Sequence, residues 1–125
     1  MTTYIDGRCP SYPINPIEGA SGNRIAGIWA QIHGMRMTLQ PFVTGDFDLD
    51  ERTKDRVDLY AAQVNQYAYK FDYLIGLATE AVRNSEVDSA LRSDWEKFIH
   101  ESAIGFTKAK KLCDEMIDVI RGFYK

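Results

Sequence analysis

The chain has 125 residues, 45% of them hydrophobic and 26% charged, with a net charge of −3. That length and composition predict a single domain with a core of its own, and they exclude a disordered chain. The acidic balance argues against a nucleic-acid or anionic-membrane partner, because both need a concentrated positive field.

Residues 1–22 read as an irregular arm. Pro10, Pro13 and Pro16 recur at the three-residue period of polyproline II, and each pushes its predecessor toward extended geometry. Neither Arg8 nor Arg24 has the spacing of an SH3-type ligand. The arm is therefore expected to be a strap whose Tyr4, Ile5, Tyr12, Ile14 and Ile17 pack on the helices. Ser21 or Asn23 is the expected N-cap of the first helix.

Helix 1 is predicted over residues 24–39, with Pro41 as its stop. Ile25, Ile28, Trp29, Ile32, Met35 and Leu39 form one apolar stripe. Gly27, Ala30 and Gly34 lie opposite. Each interior glycine costs a helix about 1 kcal/mol against alanine, so Gly27 and Gly34 point either to a smooth surface that another backbone approaches or to plain exposure or a kink in the helix.

Helix 2 is predicted over residues 49–83. The run Asp46, Asp48, Asp50, Glu51 precedes it and fails the calcium-loop template, which wants Gly at the sixth position and Glu at the twelfth. Asp48 as N-cap with Glu51 closing a capping box is the preferred reading. Helix 3 is predicted over residues 86–123, with Ser85 and Asp88 as a second capping box and Asn84 as a left-handed C-terminal residue.

Helices 2 and 3 keep an apolar heptad along almost their whole length, so they form a long antiparallel hairpin. A tight turn at 84–85 pairs Phe71 with Ile99, Tyr67 with Ala103 and Val57 with Cys113. Ser102, Gly105 and Ala109 then lie opposite Tyr60, Val64 and Tyr67, small against large. Helix 2 carries a second apolar set, Leu59, Ala62, Tyr69, Tyr73 and Leu77, roughly opposite the first.

At 1.5 Å per residue helix 1 is about 24 Å long and helices 2 and 3 about 50–57 Å. Helix 1 is thus expected beside the first half of helix 2, reaching Leu59 and Ala62 but not Tyr69, Tyr73 and Leu77, which either the arm folding back or a second chain is expected to cover. The fold class is all-α: a helical hairpin, a shorter third helix and a proline-spaced arm.

Catalytic chemistry finds no footing. Glu96 and His100 are four apart on the outer side of helix 3, a solvated pair rather than an inward di-iron motif. Arg92 and His100 are too far apart for the Arg–His spacing of helical ribonucleases. Cys113 falls on the buried seam, where a thiol behaves as a small hydrophobe. Lys108, Lys110 and Lys111 are followed by Asp114, Glu115 and Asp118, so the positive field is not sustained.

Two cysteines make no disulfide framework, and the N-terminus has no apolar signal core. No run approaches the ~20 apolar residues of a membrane span. The expected setting is the cytoplasm, or export by a dedicated secretion machine. The expected function is non-enzymatic assembly through helix packing, of secretion-associated, phage-derived or adaptor type. No cofactor, metal, nucleic acid or membrane is expected. The partner is a second copy or another protein, and the interface residues are Tyr69, Tyr73, Leu77, Gly27 and Gly34. The alternative is a bundle that holds a small ligand among its core aromatics or a metal on the Asp46–Glu51 run.

Overall fold

In a computed structural model of the chain, residues 9–45 and 50–123 are described. They form an all-α three-helix bundle: α1 Gly22–Thr44, α2 Glu51–Asn84 and α3 Ser89–Gly122. Among them the only extended pairing is an isolated bridge from Ile17 to Ala20. The expected strap residues Tyr4 and Ile5, and Asp46 and Asp48 of the acidic run, lie outside the described residues.

Helix α1 does not stop at Pro41 but carries it in its last turn. A proline that late removes one ladder bond without breaking the helix. Thr44 Oγ1 turns back to the carbonyls of Gln40 and Pro41, and Gly45 adopts φ 83° while its N–H also reaches the Pro41 carbonyl. The left-handed cap needs glycine there. At its start Ser21 holds the N-cap position, but its hydroxyl bonds Asn23 Oδ1 rather than a backbone N–H.

The two long helices are capped later in the chain than the capping-box reading placed them. Asp50 caps α2, accepting from Thr53 N at 2.8 Å and Thr53 Oγ1 at 2.9 Å. These bonds hold its carboxyl below the usual carboxylate range. Asp88 caps α3, accepting from Leu91 N at 2.8 Å. Ser85 closes α2 instead, donating to the Val82 carbonyl. Asn84 is not left-handed, since no non-glycine described residue has positive φ.

The connection is therefore the four residues Ser85 to Asp88 rather than two, and the register slips with it. Phe71 stacks on Phe106, two turns beyond the expected Ile99, with centroids 3.9 Å apart and planes 4° from parallel. At the far end Arg121 reaches Asp58 at 2.9 Å.

The larger correction concerns α1. It does not lie on the second apolar face of α2. Its stripe Ile25, Trp29, Ile32, Met35 and Leu39 is buried in the groove between α2 and α3. Trp29 packs edge-on against Phe106, and Cys113 Sγ contacts the Ile32 carbonyl at 3.8 Å. The Tyr67 hydroxyl faces Gln31 Oε1 of α1 at 3.5 Å. Ser102, Gly105 and Ala109 are all buried on the packed face of α3. A groove between two helices buries more of a third helix than a single outer face does, and hydrophobic burial scales with area.

The arm closes the bundle near the hairpin tip. Trp95 Nε1 donates to the Asn15 carbonyl at 3.0 Å, and Tyr12 packs edge-on to Phe98. A turn at residues 17–20 then feeds α1, with Gly19 at φ 89° and Ala20 N bonded to the Ile17 carbonyl. Ile17 is buried as expected. Ile14 is not; it is 97% exposed.

Candidate functional site

With α1 in the groove, no helix among the described residues covers the outer face of α2. Tyr69 is 83% exposed, Tyr73 62% and Leu77 41%, and Leu59 and Ala62 of the same stripe are exposed too. Three large side chains on one face of one helix are a contiguous apolar surface rather than scattered exposure.

This face joins α1 at a groove lined by Arg24, Gly27 and Gln31 on one side and Lys70, Tyr73 and Leu74 on the other. Two of the residues singled out by sequence, Gly27 and Tyr73, therefore stand together. A Cβ on Gly27 would meet nothing within 4 Å, so the glycine leaves the groove shallow and unobstructed. Gly34 is exposed in open space as well, about two turns further along α1 and outside this groove. Arg24 also borders a second depression, lined by Tyr12, Ile14, Gly19 and Leu77, so the surface continues onto the arm.

Sequence reasoning missed Arg24, Lys70 and Ile14. The signal for the two cations was present: neither has an acidic residue three or four positions away, so neither has an intrahelical partner. Neither makes an ion pair or hydrogen bond with another described residue. Ile14 carried no such signal, because its exposure depends on how the arm lands.

The remaining candidates assemble differently. Glu96 and His100 line a groove between α2 and α3 with Arg83 and Arg92, but no hydrogen bond or ion pair joins the two. Arg92 Nη2 is bonded to the Ser85 carbonyl, which ties it to the interhelical connection. The core aromatics pack on one another: Phe71 on Phe106, Trp29 on Phe106, Trp95 on Phe98. Among the described residues no group of three or more His, Cys, Asp or Glu side chains could hold a metal ion.

Both cysteines are free. Burial pushes the Cys113 thiol up to about 11, against the opposing pull of Arg36. Burial likewise raises Cys9 to about 11, with the Ser102 hydroxyl beside it favouring the thiolate. That contact is a weak sulfur interaction, and the wholly buried Ser102 Oγ has no other partner. Thiols held neutral in this way are poor nucleophiles.

No helix among the described residues is long and apolar enough to cross a membrane. Comparison with protein families, with characterised proteins and with solved structures finds no match to this chain.

Proposed function

We propose that this chain is a non-enzymatic interaction protein that binds another protein through the outer face of α2 and the edge of α1. The observation that carries this reading is the exposure of Tyr69, Tyr73 and Leu77 on one face, continuous with the open groove at Gly27. Tyrosine is favoured in such interfaces because it buries a large rigid area at little entropic cost. The unhindered glycines Gly27 and Gly34 fit close approach of a partner backbone. Two free thiols fit a reducing compartment such as the cytoplasm.

Site-specific photocrosslinking tests the reading. A photoreactive residue in place of Tyr69 should capture a discrete protein or a second copy, and Tyr73→Glu should abolish the capture. The same residue at Glu96, on the far groove, should capture nothing comparable. Equal capture from both positions, or none from Tyr69, would sink the proposal.

A further inference from the structure

The α1–α2 groove has a chemistry of its own. Its apolar part is Ile28, Leu74 and the ring of Tyr73, over the open floor at Gly27. Two cations stand at it, Arg24 from α1 and Lys70 from α2, and no acidic residue lines it. In a chain of net charge −3, two cations without partners among the described residues, beside an apolar depression, are a local reversal of sign.

We propose that this groove receives an acidic amphipathic segment of a different protein, with an apolar side chain over Gly27 and carboxylates toward Arg24 and Lys70. The inference rests on the interface reading above and names the partner's chemistry. Charge complementarity is what selects the occupant: desolvating two cations against a neutral surface is unfavourable, whereas carboxylates restore their bonds. It also disfavours a second copy of this chain. In a two-fold pairing the same patch faces itself, so the cations of one copy would approach the cations of the other. Along α1, the span from Arg24 to Gln31 is about 10 Å, so a segment of two to three helical turns covers the groove.

The test uses the full chain and two synthetic amphipathic helical peptides, identical in their leucines and tryptophan. One carries glutamate at every polar position and the other glutamine. Binding is read by fluorescence anisotropy at two salt concentrations. The glutamate peptide should bind about tenfold or more tightly than its glutamine twin, and added salt should narrow the gap. Arg24→Glu and Lys70→Glu should each weaken it about tenfold. Gly27→Leu should weaken it as well, without loss of helicity, which a purely electrostatic surface would not show.

Equal affinity of the two peptides, both lost with Tyr73→Glu, overturns the acidic partner and leaves the interface standing. Binding of neither, with crosslinking at Tyr69 intact, does the same. A concentration-dependent dimer in light scattering that Lys70→Glu dissolves assigns the groove to a second copy and refutes the proposal.

Discussion

Substitution of the exposed helical glycines separates folding from binding. Gly27 and Gly34 in α1 and Gly76 in α2 lie inside helices, and a Cβ on any of them would meet nothing within 4 Å. For folding alone each is a defect, because glycine is about 1 kcal/mol worse than alanine in a helix interior. Gly27→Ala, Gly34→Ala and Gly76→Ala should therefore each stabilise the isolated chain by about 1 kcal/mol. With an unfolding entropy of about 2.1 cal/mol/K per residue, that is a rise in Tm of about 4 °C each. Gly22→Ala is the internal control. Its Cβ would fall 2.5 Å from the Tyr12 ring, so the arm must shift and stability should drop. Thermal melts followed by circular dichroism measure all four. A fall in Tm for Gly27→Ala would refute the open-groove geometry. A rise for Gly22→Ala would refute the packing of the arm.

Phe106→Ala removes the ring between Phe71 and Trp29 and should cost about 3–5 kcal/mol in urea denaturation, a large part of a domain's stability; a cost under 1 kcal/mol would contradict the observed register. Asp88→Ala deletes the α3 cap and should cost about 1 kcal/mol; a larger loss for Ser85→Ala would instead restore the capping box at Ser85. Arg121→Ala should cost less than 1 kcal/mol by the same measurement, because its pair with Asp58 is half exposed.

The thiols predict a pH dependence. Their folded pKa values lie above the ordinary value of 9, so the neutral form favoured by burial contributes fully below pH 9 and is lost as pH rises toward about 11. Denaturation midpoints should fall across that window, and Cys113→Ala should flatten the fall relative to the unaltered chain. An identical slope in both would remove the thiol as the cause.

Legibility in the sequence tracks the range of the interactions. Apolar periodicity marked Ile25 to Leu39 and both long helices, because a buried helical face must recur every three to four residues. The second apolar set on α2 was equally plain, and Tyr69, Tyr73 and Leu77 do remain uncovered. Cap assignment failed by up to one turn in each long helix, since Asp48 and Asp50, or Ser85 and Asp88, are chemically equivalent candidates until the backbone chooses. Pro41 does not end α1, because its position within the last turn, not its presence, decides whether a helix stops.

The sequence by itself determined the all-α class, the number of helices and the face of α2 that no internal seam requires. Only the tertiary structure decided that α1 fills the α2–α3 groove, that Phe71 stacks on Phe106, and that Arg24, Gly27, Lys70 and Tyr73 meet. The physical reason is that periodicity is a local property of one helix, while the choice among apolar faces depends on the total area three helices and an arm can bury together. That competition left the tyrosines of α2 outside and brought two cations, Arg24 and Lys70, to stand beside them.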